Sequence, residues 1–186
     1  MTLFKSVICF MMTLLMCLSV NSGETLKDQP VFGQEHLRES HFVKGVMELY
    51  PSIPELEAQK VVGLVNYYSQ ELNLTPTVAL AVIGTESEFV RTARSATGVG
   101  YTQVYPKYHK NKIKNRDLFK TQVNIEVGMK ILQECKERTG KPGYRTALAC
   151  YNGAVSKDKA ERYYRKIREQ EKRILVKVYQ IFMTNS

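Results

Sequence analysis

The stretch Val78-Ala79-Leu80-Ala81-Val82-Ile83-Gly84-Thr85-Glu86-Ser87 constrains this chain most. Thr75-Pro76 ahead of it is a helix start signal, an N-cap candidate followed by proline at the first helical position. Residues 78 to 83 are apolar on every side of a helix. A helix with no polar face belongs at the buried centre of a domain, and the rest of the chain must pack around it. The stretch ends on a carboxyl. At the end of a buried helix Glu86 loses water around its charged form, so its pKa is expected to rise. A raised pKa keeps a carboxylic acid protonated near neutral pH and able to donate its proton. The bland alternative is a solvated helix-end residue, which is the expectation for Glu88.

The flanking pattern supplies the packing partners. A helix is expected from Glu39 to Tyr50, ahead of Pro51, and another from about Pro54 to Leu72. In the second, Ala58, Val61, Val62, Val65, Tyr68 and Leu72 recur at helical spacing. Asn124 to Arg138 forms a third, with Ile125, Met129 and Leu132 on one face and Asn124 as its cap. Gly140, Pro142 and Gly143 stop it. A short helix follows from Tyr144 to Tyr151. A long basic helix runs from Lys157 to Met183, with Tyr164, Ile167, Ile174, Val178 and Ile181 as its apolar stripe. Between Arg91 and Lys114 the periodicity breaks. Gly98 and Gly100 permit a tight backbone there, and Val99, Tyr101, Val104 and Tyr105 suit a short hairpin or extended pair. The expected class is mainly α, with one small irregular or β element.

Residues 1 to 23 have the layout of a secretory signal peptide. Lys5 is the positive end, Val7 to Val20 is too short to span a bilayer comfortably, and cleavage fits after Ser22. An uncleaved membrane anchor is the alternative. The expected organisation is a leader followed by one domain over 24–186, opening with a loose arm at 24–38. The formal net charge is +9. That sign suits a polyanionic partner without choosing among nucleic acid, anionic membrane and cell wall. No aromatic-basic platform or docking motif for nucleic acid accompanies it, so nucleic acid is not expected as a partner. Cys9 and Cys17 lie in the leader, leaving Cys135 and Cys150. In an exported chain that pair is a disulfide candidate, with two buried thiols as the alternative. Two cysteines and three scattered histidines (His36, His41, His109) have no metal-ligand spacing. No metal or other cofactor is expected.

Four segments in order carry a resemblance. They are Glu86-Ser87; Ser95-Ala-Thr-Gly98-Val-Gly100-Tyr101-Thr102-Gln103-Val-Tyr-Pro106; Asn124-Ile125-Glu-Val-Gly128; and Ala149-Cys150-Tyr151-Asn152-Gly153. Together they resemble the soluble lytic transglycosylase domain, a branch of the lysozyme-like fold. The motif-bearing core spans about 54–155, and the basic helix lies beyond it. The run from Gly100 to His109 is similar to that of phage-encoded or envelope-penetrating members. The resemblance implies an enzyme that cuts the glycan strands of bacterial peptidoglycan, with its cleft beside the irregular element. Export would place it in the periplasm or cell envelope, working for a secretion, conjugation or phage apparatus. Membrane contact would come only through an uncleaved leader.

The implied chemistry uses one carboxylate, where ordinary glycosidases use two. Glu86 would protonate the glycosidic oxygen between N-acetylmuramic acid and N-acetylglucosamine. The substrate's N-acetyl group would stabilise the oxocarbenium-like centre. Ionised Glu86 would then take the proton of the C6 hydroxyl, which closes a 1,6-anhydro ring without water. Family analogy puts Ser95 near the N-acetyl group or the glutamate, Gln103 on the sugar, and Tyr151 at the catalytic centre. Asn152 touches sugar or holds the local backbone. Each has a plainer role: Ser95 as a turn cap, Gln103 as an exposed residue, Tyr151 as a core aromatic with a satisfied hydroxyl. The chain departs from the family where Tyr101-Thr102 replaces Leu-Met, where the serine loop is one residue shorter, and where Gly153-Ala154 reverses the usual small residues. A hydrolytic lysozyme of the same fold is the rival enzyme. It needs a second carboxylate, and between Phe89 and Gln103 there is none; Asp117 is a distant candidate. A non-catalytic wall-binding or assembly protein is the rival from another class.

Overall fold

A computed structural model describes residues 39–140 and 142–184. The expected leader, the arm at 24–38, Cys9, Cys17 and His36 lie outside the described residues. Seven helices are described: α1 (Glu39–Leu49), α2 (Glu55–Glu71), α3 (Pro76–Ser87), α4 (Lys110–Ile113), α5 (Thr121–Thr139), α6 (Arg145–Tyr151) and α7 (Lys157–Thr184). None is long and apolar enough to cross a membrane. Of these, α4 is a single turn that no periodicity signalled.

Helix α3 is the buried centre that its composition required. Thr77 through Gly84 are all buried. Full burial of each aliphatic side chain contributes roughly 1.5–3 kcal/mol. Pro76 opens the helix as expected, and Thr75 sits before it in an extended conformation. The Thr75 hydroxyl makes no cap bond; instead its backbone N–H donates to Tyr144 Oη at 2.6 Å. Helices α2 and α7 pack on α3, α1 packs on α2 and α7, and α5 packs on α2 and α6. Close approach is bought with glycine at Gly84, where a Cβ would lie 2.4 Å from Tyr50 Oη.

The basic helix α7 is anchored by polar groups as well as its stripe. Thr77 Oγ1 donates to the buried Glu171 carboxylate at 2.6 Å, and Arg168 closes the other oxygen at 2.5 Å. A buried carboxylate is tolerable only with such partners. The stripe itself is Tyr163, Ile167, Ile174, Val178 and Ile181. Tyr164, expected in it, is only partly buried and lies under the Arg145 guanidinium at 4.1 Å. The two tyrosines are adjacent, and where α7 packs on α3 it is the first that is buried.

The irregular element is smaller than a hairpin. It consists of two isolated antiparallel bridges, Arg94 with Val99 and Val99 with Val104. Cys135 and Cys150 form a disulfide between α5 and α6, with their Cα atoms 5.6 Å apart.

Candidate active site

Glu86 occupies the last turn of α3, half-buried. The helix cannot continue past Ser87. Glu88 and Phe89 both take left-handed backbone conformations, with φ of 51° and 59°. That is uncommon for non-glycine residues, and burial of Phe89 against Tyr50 holds the turn. Ser87 is buried and returns its hydroxyl to Ile83 O at 3.1 Å, within its own helix. The turn carries the chain away and leaves the Glu86 carboxyl facing α6 and α7.

Tyr163 on α7 donates its hydroxyl to Glu86 Oε1 at 2.5 Å. No described residue hydrogen-bonds Oε2. Burial pushes the Glu86 carboxyl up from its ordinary range, while the Tyr163 hydroxyl and the Lys166 ammonium pull it partly back. Burial and the Glu86 charge hold the Tyr163 phenol well above its usual value, so it stays a donor. Tyr151 is close enough to feel Glu86 as well; burial raises its phenol first and the Glu86 charge second. Among the described residues, the charged side chain that acts on Glu86 is Lys166, a cation, and not a second carboxylate. Asp117 is a turn residue, accepting the Phe119 N–H at 2.9 Å.

The serine-glycine loop is locked from behind. Asn124, expected as a helix cap, lies inside the first turn of α5 and is almost fully buried. Its Nδ2 donates to Val99 O at 2.8 Å and Leu118 O at 3.0 Å. Its Oδ1 accepts the Thr102 N–H at 2.8 Å and the Thr102 hydroxyl at 2.9 Å. Lys120 takes the cap position instead. Two glycines make room for this lock. At Gly100 (φ +75°) a Cβ would meet Asn124 Nδ2 at 2.2 Å; at Gly128 it would meet Thr102 Oγ1 at 2.3 Å. Tyr151 Oη then donates to Thr102 O at 2.7 Å, tying the loop to α6.

The expected site residues divide accordingly. Glu86 and Tyr151 come together, with Tyr163 between α7 and the carboxyl. Ser95 is exposed, and its Oγ accepts the Gly98 N–H at 2.8 Å and the Thr97 N–H at 3.4 Å, as a turn cap does. Gln103 sits at φ 47° and donates Nε2 to Gly100 O at 2.9 Å and Ala93 O at 3.2 Å. Asn152 is exposed at the end of α6. Ser95, Gln103 and Asn152 make no hydrogen bond to Glu86 among the described residues. Tyr101 donates its hydroxyl to Glu57 Oε1 at 2.8 Å. Sequence reasoning missed Tyr163. The tyrosine pair at 163–164 was its only signal, and the pair alone does not say which ring turns inward.

A half-buried carboxyl that burial shifts toward protonation, held by a phenol and with no second carboxylate acting on it among the described residues, is suited to single-acid proton transfer. The sequence pattern of the transglycosylase SLT domain matches residues 63–174. No curated protein and no solved structure matches the chain. The matched region runs from within α2 to within α7 and takes in Glu86, the locked loop, Asn124, Tyr151 and Tyr163. The chain therefore belongs to the transglycosylase SLT domain family, a lysozyme-like family that acts on peptidoglycan.

Proposed function

We propose that this protein is a peptidoglycan lytic transglycosylase in which Glu86 serves first as general acid and then as general base. The observation that carries the proposal is the Glu86 environment. Burial favours the protonated carboxyl needed for the first step. The Tyr163 hydroxyl, at 2.5 Å, stabilises the carboxylate left after that step. Oε2 remains for the glycosidic oxygen. In the second step the carboxylate takes a proton from the C6 hydroxyl of the same N-acetylmuramic acid, which closes the 1,6-anhydro ring. Tyr151, bonded to Thr102 O, fixes the loop beside the carboxyl. Ser95 and Gln103 set that loop's shape, and through it the sugar-facing surface; Asn152 closes α6 and keeps Tyr151 in place. Function at peptidoglycan puts the protein in the cell envelope, with residues 1–23 as its export signal.

Among the described residues no second carboxylate acts on Glu86. That supports this reading over a hydrolytic lysozyme, which needs one for water or as a nucleophile. Mass spectrometry of purified peptidoglycan after digestion decides between them. Fragments one water lighter than hydrolytic products are expected. Ordinary reducing ends would make the protein a lysozyme, and a folded protein that yields no fragments would be a binding or assembly protein. Glu86→Gln is expected to fold and to lose roughly 10²–10⁴-fold in cleavage rate; an active variant would remove Glu86 from its role.

A further inference from the structure

A groove of about 690 Å³, whose lining does not include Glu86, lies between the start of α2, the segment after α3 and the start of α5. Its apolar wall includes Ile53, Phe89 and Val123. Three cations stand around it, Lys60, Arg91 and Lys120, against the single carboxylate Glu57. Glu57 is already engaged, accepting the hydroxyls of Tyr101 and Thr121 on one oxygen. Lys60 and Lys120 are exposed and make no ion pair among the described residues. Arg91 donates one N–H to Phe119 O at 3.2 Å and makes no ion pair among the described residues.

Tyr101 in the groove lining and Thr102 beside the Glu86 site are neighbours in the chain. Tyr101 reaches from the loop to Glu57 on α2. The next residue, Thr102, gives its carbonyl to Tyr151, which lies within electrostatic reach of Glu86. Glu86, Tyr151 and Tyr163 do not line the groove.

We propose that this groove binds an acidic oligopeptide, of the kind that peptidoglycan carries on its glycan strands. Carboxylates pair with Lys60, Arg91 and Lys120, and small alkyl side chains lie on the apolar wall. Uncharged sugar would leave the three cations unanswered. The identity of the peptide rests on peptidoglycan being the substrate, while binding itself does not depend on the catalytic reading.

The test is titration of the isotopically labelled protein with a peptidoglycan-type tetrapeptide, alanyl-γ-glutamyl-diaminopimelyl-alanine, followed by NMR. A parallel titration uses the same peptide with its carboxylates amidated. Expected are saturable shifts around Tyr101 and Thr121 with the free peptide, and none with the amidated one. Lys60→Gln and Lys120→Gln, both exposed changes, should each weaken binding by roughly fivefold, the upper range for an exposed ion pair. Glu86→Gln should bind as the parent does. Loss of binding in Glu86→Gln would assign the peptide to the catalytic site and overturn the proposal. Equal affinity for the amidated peptide, undiminished binding by the lysine variants, or no saturable shift in the parent would each overturn it too. A protein that cuts no glycan but still passes this titration would fail the catalytic reading alone.

Discussion

Glu86 keeps its carboxyl where the charged form is disfavoured, and that has consequences for stability and rate alike. Its folded pKa is raised. The stability it contributes is fully present below the unfolded carboxylate value and is lost as pH rises through the folded one. Glu86→Gln removes that loss. The variant should therefore melt higher than the parent at neutral pH, with the difference closing near about pH 4. Paired calorimetry at the two pH values checks this, and an unchanged or lower melting temperature at neutral pH would contradict the burial argument. Tyr163→Phe acts in the other sense. The hydroxyl lowers the Glu86 pKa, so its loss should move the high-pH limb of the rate profile upward. The rate at the optimum should fall by roughly ten- to a hundredfold, since a hydrogen bond to a charged group contributes about 1.5–3 kcal/mol. A merely structural tyrosine would lower the rate without moving the limb. Glu86 was legible because ten consecutive residues set its environment. Tyr163 was not, because it lies 77 residues further along the chain.

At the scale of elements, the lock between the loop and α5 is the feature that sets the site. Gly128 has no open space beside it; an added methyl would fall 2.5 Å from Thr102 Cβ. Gly128→Ala should cost about 1–3 kcal/mol by overpacking. It should also lower cleavage by displacing Thr102 from Tyr151. Gly140→Ala, in open space at φ +56°, is the control: it should carry about 1 kcal/mol of backbone strain and keep full activity. Urea melts with parallel rate measurements separate the two, and an active Gly128→Ala would deny the loop its role. Apart from the single turn α4, the helices were readable from their period, to within a few residues at each end. The lock was not. Asn124 looks like a cap in sequence, and its partners, Val99 and Thr102, are loop residues more than twenty positions away.

For the whole molecule, the Cys135–Cys150 bond closes a short loop across α5 and α6, with a separation of 15 residues. A loop of that length is worth about 3 kcal/mol through restriction of the unfolded chain. Cys135→Ser with Cys150→Ser should thus lower the melting temperature by about 10 °C in a domain of this size. Thermal melts of the parent with and without reductant should reproduce the drop, and a reductant-insensitive parent would mean the bond is absent in solution. Tyr151 adjoins Cys150, so the site should loosen before the fold does.

The sequence by itself determined the buried helix, the acid at its end and the family. Each of these rests on neighbours along the chain: an apolar run, a start signal, short ordered motifs. Tertiary structure alone decided which tyrosine meets that acid, what Asn124 holds, and where Tyr101 sends its hydroxyl. It also decided that Lys60, Arg91 and Lys120 gather around one groove. Those outcomes depend on how helices far apart in sequence cross, and local periodicity carries no information about crossing angles or long-range polar partners.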